Sequence, residues 1–343
     1  MKNFWRFLLI KELPSDSLAG INFTVFGMGD SGYVKFNAVA RRLYQRVLQL
    51  GAKEFHERGL GDDQHEFGYD TEFIPWLEKL YESLKAHFPS KKYTIVETDQ
   101  PPVPKFNIDV VEIPNGKTNN TDAQQEIESL KYMKRNYCYN KDVILSKIST
   151  NKTLTSEDAV KEVRYIELEL PENMNLKYLP GDVAVLMPRN DPEVCKKLAE
   201  RLGYKYDQYV KISINPNQKS KKNPFPKEPI QIRELLEYWL NLIEPPTRYF
   251  FRVLAYFTED KLHKGKLREF GDNSSDGKIE YNNYCYREKR NVYEVLFDFD
   301  TVNIPLNYLL EGISLQKPRE YSICTSQLQH PQHVIYYERN LFT

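Results

Sequence analysis

A strand, loop and helix pattern that occurs twice near the start of the chain constrains the fold most. The mostly apolar run INFTVF, residues 21–26, leads into the glycine-rich loop GMGDSGYVKFN, residues 27–37, and then into a helical pattern that ends at Gly51, where a C-terminal cap belongs. A second run, KEFHERGL, precedes the loop GLGDDQHEFGYD at 59–70 and a helix that Pro89 is expected to stop. This alternation predicts a doubly wound parallel α/β sheet in which INFTVF is buried on both faces.

The rest of the chain predicts a different architecture. Residues 89–135 are rich in proline and polar residues and are interpreted as a linker between a first domain, 1–88, and a second, 136–343. From about residue 137 apolar and polar residues alternate, which predicts an antiparallel β-barrel. The helix-rich range 191–311 is interpreted as an insertion in that barrel, because β-type alternation returns near REYSICTS.

Composition narrows the function classes. Lys plus Arg and Asp plus Glu both number 48, so no net field favours nucleic acid as a partner. The longest apolar run near the N-terminus, FWRFLLI, is interrupted by Arg6 and is too short to cross a membrane. The cysteines are widely spaced, which predicts reduced thiols, no metal site and a cytoplasmic protein. They are Cys138, Cys195, Cys285 and Cys324.

The first glycine-rich loop is the strongest candidate for a ligand site. Ligands of open parallel sheets bind beyond the carboxyl ends of the strands, where this loop is expected. Gly27 and Gly29 would let backbone amides approach a flat ligand, Tyr33 offers a ring for stacking on a flavin, and Asn37 could hydrogen-bond it. By composition alone, an ordinary strand-to-helix turn is the alternative.

The second loop follows the next predicted strand, so the two loops are expected to meet over one site. Asp62, Asp63 and Glu66 would place negative potential beside that site and favour docking of a positively charged partner. The alternative is a solvated acidic loop that caps the following helix.

Longer strings add a family resemblance. MGDSGYVKFN and GLGDDQHEFGYDTEFIPWLEKL resemble the FMN domain of diflavin reductases, and the DDQH sequence is closest to the cytosolic NADPH-dependent diflavin oxidoreductases. The resemblance implies a flavodoxin-like fold in which Tyr33 stacks on the flavin. The flavin contacts that it implies are Met28, Gly29, Asp30, Ser31, Gly32, Tyr33, Val34, Lys35, Phe36, Asn37 and Asp63.

A second motif, KPREYSICTS, resembles the Arg-x-Tyr-Ser motif of ferredoxin-reductase-type FAD domains. Its chemistry suits FAD: Arg319 can clamp a pyrophosphate, Tyr321 can stack on the isoalloxazine, and Ser322 can hydrogen-bond near the reactive nitrogen. The resemblance also places Glu320, the variable residue of the motif, at this cofactor site.

A third segment, REKRNVYEVL, resembles the stretch in which the family carries paired arginines before a helix. This chain departs from that pattern, because Lys289 stands in place of the first arginine and Arg290 in place of the second. Whether Lys289, Arg290 or Arg287 reaches the FAD phosphates stays open, and a solvated basic stretch is the alternative.

The resemblance implies a complete electron-transfer route. NADPH would reduce FAD, FAD would reduce FMN, and FMN would reduce an iron–sulfur protein similar to anamorsin in cytosolic iron–sulfur cluster assembly. A microsomal or methionine-synthase type of diflavin reductase is the alternative enzyme. A truncated, non-catalytic product that binds the same partner is the alternative from another class.

The sequence also predicts an incomplete chain. A flavodoxin-like sheet has five strands, of which only two are recognisable, and the loop expected to hold the FMN phosphate is not found. Met1 is expected to be an internal methionine, and the chain is expected to stop before the NADPH-binding domain. These residues alone are therefore expected to be inactive.

Overall fold

The structure, a computed structural model, describes residues 2–65, 67–89, 100–112, 144–159, 162–171, 177–179, 181–218 and 223–339. The chain divides into two compact units. The first contains Met1–Thr98 and Asn273–Lys278, and the second contains Asp99–Asp272 and Ile279–Thr343. None of the helices in these described ranges is long and apolar enough to span a membrane.

The first unit alternates helices and short parallel strands. Its helices are α1 (Lys2–Leu8), α2 (Ala38–Gln49) and α3 (Asp70–His87). Its strands are β1 (Asn22–Phe23), β2 (Phe26–Gly29), β3 (Lys53–Glu54) and β4 (Gly59–Asp62). Strand β1 pairs with β3 and β2 pairs with β4, both in parallel, which confirms the predicted α/β alternation.

The run INFTVF differs from its prediction as one strand buried on both faces. It forms two short strands, interrupted at Thr24 and Val25, and Ile21 at its start is 48% exposed. Within the described residues each piece pairs along one edge only, in two separate two-stranded sheets. The apolar core of this unit is correspondingly small, and its buried members are Leu8, Val47, Leu50 and Ala52.

Helix α2 is fixed at both ends as its sequence indicates. Asn37 precedes it in a left-handed conformation, and Gly51 follows it with a φ of +91°, which confirms the predicted glycine cap. The guanidinium of Arg46 donates to the carbonyl oxygens of Leu8 and Ile10, both at 2.7 Å. The last turn of α2 thereby satisfies the carbonyl groups that the end of α1 leaves without helical partners.

The second unit combines antiparallel strands with a helical region. Its strands are β5 (Phe106–Val111), β6 (Lys147–Thr153), β7 (Val163–Glu169), β8 (Val183–Leu186), β9 (Tyr209–Ile214), β10 (Ile230–Gln231), β11 (Arg319–Ser322) and β12 (His333–Arg339). Its helices are α4 (Pro192–Arg201), α5 (Ile232–Glu234), α6 (Arg248–Leu254), α7 (Lys261–Gly271), α8 (Ser275–Tyr281, which straddles the boundary between the units), α9 (Val292–Asp298) and α10 (Leu306–Gly312). Two π-helical turns, Leu235–Trp239 and Asn282–Tyr286, and the 3₁₀ turn Ala255–Phe257 extend them.

The strands of the second unit form three antiparallel sheets. Their orders are β10-β9-β5, β12-β7-β6 and β11-β8. The predicted antiparallel pairing is therefore confirmed, but these sheets do not close into a barrel within the described residues. The largest core lies in the helical region, around the fully buried side chains of Trp239, Phe250 and Phe251.

Strand β5 lies inside the range that was predicted to be a linker. It pairs with β9, and Phe106 at its start is 2% exposed. The preceding segment, 102–105, is tied to the same unit, because each of its carbonyl oxygens accepts a hydrogen bond. The donors, in order along the segment, are Tyr308 Oη, Gln218 Nε2, Asn215 Nδ2 and Asn215 N.

Candidate functional site

The two glycine-rich loops of the first unit meet, as the sequence predicts. Strands β2 and β4 run parallel and end side by side, so their loops leave the same edge of the sheet. The loops are joined directly: the Ser31 amide donates to Asp62 Oδ1 at 2.8 Å, and the Asp63 amide donates to the Gly29 carbonyl at 2.8 Å. These bonds fix the distance between the two loops.

Carboxylates shape this loop pair. Asp30 Oδ1 accepts hydrogen bonds from the Gly32 amide at 2.7 Å and from Gln64 Nε2 at 2.9 Å. Hydrogen bonds from Ser31, followed by the Gln64 amide, hold the pKa of Asp62 below its ordinary value, so this side chain stays ionised. Sequence reasoning missed Gln64. The only sign of its role in the sequence is that this amide directly follows Asp62 and Asp63.

The side chain of Asn37 lies between the two strands. It is 7% exposed, it has a φ of 51°, and its Nδ2 donates to the Gly61 carbonyl at 2.9 Å. A Cβ added to Gly27 would lie 2.5 Å from Asn37 Oδ1, and one added to Gly29 would lie 2.8 Å from Asn37 Cγ. These glycines therefore make room for Asn37, whereas the sequence reasoning had assigned them to the approach of a ligand.

Three apolar side chains of the first loop remain uncovered within the described structure. Met28 and Tyr33 are each 72% exposed, and Val34 is fully exposed. Lys35 and Asp63 are also exposed, and the predicted acidic residue Glu66 lies outside the described residues. An exposed aromatic ring with apolar neighbours beyond the strand ends fits a planar flavin such as FMN.

The Arg-x-Tyr-Ser motif forms strand β11. Its four residues pair antiparallel with β8, from Arg319 opposite Leu186 to Ser322 opposite Val183. Strand alternation places Arg319 and Tyr321 on one partly buried face and leaves Glu320 and Ser322 exposed. The Arg319 guanidinium is a planar donor that suits a pyrophosphate, whereas the Ser322 side chain lies on the opposite face of the strand.

Tyr321 makes contacts that the motif alone does not reveal. Its hydroxyl donates to Glu338 Oε1 at 2.9 Å, and its ring centroid lies 4.6 Å from that of Tyr336. Burial, and then Glu338, raise the pKa of Tyr321, while the neighbouring Arg319 lowers it. Sequence reasoning missed Glu338, because HVIYYER has no apolar–polar alternation that would show which residues of β12 share a face.

The basic segment before α9 is held within the helical region. The guanidinium of Arg290 donates to the Tyr284 carbonyl at 3.1 Å and to Asp298 Oδ2 at 2.9 Å, and it lies over the Tyr284 ring. Lys289 has a φ of 52°, a conformation uncommon outside glycine. Arg290 therefore has a structural role in this arrangement, whereas the sequence reasoning left it as a candidate for the FAD phosphates.

A recess of about 370 Å³ lies elsewhere in the second unit. Phe106, Phe225 and Ile313 contribute its apolar lining, and Glu311 contributes a carboxylate. The Lys105 amide donates to that carboxylate at 2.8 Å. This recess shares no residue with either predicted flavin site.

The two units match two flavin-binding domain families, which is the class of a flavoprotein. Residues 1–76 match the flavodoxin family, and residues 138–336 match the family described as FAD binding domain. The chain thus combines the two domain types that the sequence reasoning expected.

Curated relatives identify the family. NADPH-dependent diflavin oxidoreductase 1 of Dictyostelium discoideum is 34% identical over 339 residues, which are 96% of this chain and 51% of the relative. The mouse protein of the same name is 33% identical over 348 residues, 97% of this chain and 54% of the relative. The Arabidopsis thaliana protein is 31% identical over 344 residues, with 96% and 54% covered.

The chain belongs to the diflavin oxidoreductase family, as its motifs predict. The predicted cofactors FMN, FAD and NADPH are those of this family. The chain spans about half the length of the curated relatives that it matches.

Proposed function

We propose that the protein carrying this chain passes electrons from NADPH through FAD and FMN to an iron–sulfur protein similar to anamorsin. Its place would be cytosolic iron–sulfur cluster assembly. One observation carries the proposal. The same chain has an exposed Tyr33 where two parallel strands end side by side and the Arg-x-Tyr-Ser motif on the paired strand Arg319–Ser322. The names of the relatives and the domain matches of this chain support the same reaction class.

In this proposal the first unit holds FMN at the ends of β2 and β4. Tyr33 stacks on the ring, and Met28 and Val34 cover apolar edges that water would otherwise contact. The remaining proposed contacts of the loop follow from the family motif. They are Gly29, Asp30, Ser31, Gly32, Lys35, Phe36, Asn37 and Asp63.

The second unit holds FAD along β11. Arg319 binds the pyrophosphate through its planar fork of donors, Tyr321 packs against the ring, and the exposed Ser322 hydrogen-bonds its edge, with Glu320 beside it. Lys289 supplies a further cation. A bound flavin accepts two electrons and releases them singly, which suits transfer from NADPH to a one-electron acceptor.

The acidic loop of the first unit is the proposed contact for the acceptor protein. Asp63 is exposed, and Asp62 stays ionised because of its hydrogen bonds. A negative surface beside the proposed FMN site would orient an acceptor that carries a basic patch.

Two substitutions test the flavin assignments in the protein expressed from its full transcript. Tyr33→Ala should weaken FMN binding by about 1–3 kcal/mol, the scale of one lost stacking contact, and leave FAD in place. Arg319→Ala should release FAD and leave FMN in place. Flavins are released by heat, separated by chromatography and counted per chain, and NADPH-driven acceptor reduction is assayed in parallel.

Matched controls come from exposed residues of the same type or charge. Tyr81 in α3 is 54% exposed, so Tyr81→Ala should keep both flavins. Lys317 is exposed next to the motif, so Lys317→Ala is the control for loss of a positive charge and should also keep both flavins. Equal retention of both flavins in Tyr33→Ala and Arg319→Ala would contradict the proposed sites.

A further inference from the structure

One face of strand β12 carries an unexpected carboxylate. Residues 334, 336 and 338 share a face because side chains alternate along a strand. Val334 is 3% exposed and Tyr336 is 5% exposed, and both belong to the core cluster of this sheet. Glu338 continues that apolar face. Glu338 is itself half-buried, and a partner stabilises a carboxylate in such a position because desolvation of an unpaired charge is unfavourable.

The partner of Glu338 is the tyrosine of the Arg-x-Tyr-Ser motif. Tyr321 Oη donates to Glu338 Oε1 at 2.9 Å, and the Tyr321 ring packs on Tyr336 of the same strand. Arg164, directly opposite Glu338 on β7, donates instead to Glu162 at 3.0 Å. The hydrogen bond and the ring contact together limit the rotation of the Tyr321 side chain.

We propose that Glu338 is a positioning residue of the FAD site: it fixes the Tyr321 ring and places a negative charge near the bound flavin. This inference rests on the proposed function. A ring that is already fixed loses less conformational entropy when the flavin binds. A negative charge close to the flavin opposes the gain of electrons and therefore lowers its midpoint potential.

Three variants separate the hydrogen bond from the charge. Glu338→Gln keeps a carbonyl acceptor for Tyr321 but removes the charge, Glu338→Ala removes both, and Tyr321→Phe keeps the ring but removes the donor. Glu169 is an exposed carboxylate on β7 of the same sheet, so Glu169→Gln is a control for the general loss of a negative charge. Each variant is made in the protein expressed from its full transcript. The measurements are the Kd for FAD, the midpoint potential, the visible circular dichroism of the bound flavin and the Tm.

The expected results differ among the variants. Glu338→Gln should bind FAD with a Kd near that of the unaltered protein and show a higher midpoint potential, which Glu169→Gln should not show. Glu338→Ala should bind FAD about tenfold more weakly, as the loss of one ordinary hydrogen bond implies, with an altered circular dichroism spectrum. Glu338→Ala combined with Tyr321→Phe should bind no more weakly than Tyr321→Phe alone.

Three outcomes would overturn the inference, and they are distinguishable. An unaltered protein that binds no FAD would refute the proposed function and the inference with it. The second outcome is that the unaltered protein binds FAD, but Glu338→Gln leaves the midpoint potential unchanged and Glu338→Ala leaves the circular dichroism spectrum unchanged. This outcome would refute the role of Glu338 and leave the proposed function standing. A lower Tm with unchanged potential and spectrum would show that Glu338 serves only the fold.

Discussion

Replacement of Asn37 by Ala should destabilise the first unit substantially. Asn37 Nδ2 donates to the Gly61 carbonyl at 2.9 Å in a buried site, so Asn37→Ala leaves that carbonyl without its donor, at a cost of about 1–3 kcal/mol. The backbone of Asn37 has a φ of 51°, and Ala adopts this left-handed conformation less readily, which adds about 1 kcal/mol. The expected loss of stability is therefore about 2–4 kcal/mol.

Asn37→Gly is the matched control for the backbone contribution. Gly adopts the left-handed conformation without strain but also lacks the amide donor, so it should retain about 1 kcal/mol more stability than Ala. Hydrogen exchange in peptides that cover β2 and β4, measured over a series of urea concentrations, reports the free energy of opening in this region. Both variants should exchange faster in these two strands.

The comparison between the two variants decides the interpretation. Equal destabilisation by Ala and Gly would show that the left-handed backbone contributes nothing. Stability losses below about 0.5 kcal/mol in both would show that the bond from Asn37 to Gly61 does not hold the loops together. That result would leave Asn37 with only the direct flavin contact that the family motif implies.

Three further predictions concern the second unit. Burial raises the pKa of the Cys195 and Cys285 thiols to about 12, so the contribution of these thiols to the unfolding free energy, measured in urea against the Cys195→Ala and Cys285→Ala variants, should be constant below pH 8 and fall between about pH 9 and 12, where only the unfolded chain releases these protons; a contribution that stays constant to pH 11 would contradict this. Peptide mapping after brief iodoacetamide treatment at pH 8 should find the exposed Cys324 modified before either buried thiol, and equal labelling would refute the burial. Arg189→Met should lower the free energy of unfolding in urea by about 1–3 kcal/mol, because the Glu237 carboxylate, 6% exposed, loses both hydrogen bonds from the guanidinium. Glu237→Gln should cost less, because it removes the buried charge. The reverse order of the two variants would refute this account.

Local sequence signals predicted helices α2 and α3 of the first unit well, whereas α1 was not predicted. The periodic pattern after the first loop became α2, and Gly51 took the expected positive φ because a helix end can be read from one residue. The helix before Pro89 likewise ended at His87. The apolar run 21–26 was less well predicted, since whether a strand is buried on both faces depends on neighbouring strands that its own residues do not specify.

Strand β5 shows where local reasoning fails. The prolines before it indicated a linker, and they do precede an ordered segment, but FNIDVV becomes a strand through pairing with β9, about 100 residues away along the chain. Prolines at 102 and 104 are compatible with this arrangement, because the segment contributes carbonyl acceptors there and needs no amide donors at those positions. The donors to those carbonyls are at least as distant in sequence, so the short-range pattern contained no sign of them.

The flavin-type loop shows why a motif match alone does not assign contacts. Within the string from residue 27 to residue 37, Gly27, Gly29 and Asn37 pack against one another and shape the backbone, whereas Met28 and Tyr33 point into exposed space. A flavin site at this loop depends on both sets, since the ligand needs the exposed side chains and those side chains need the loop's shape. Substitutions of the exposed set should therefore change flavin binding with little effect on stability, and substitutions of the packed set should change both together.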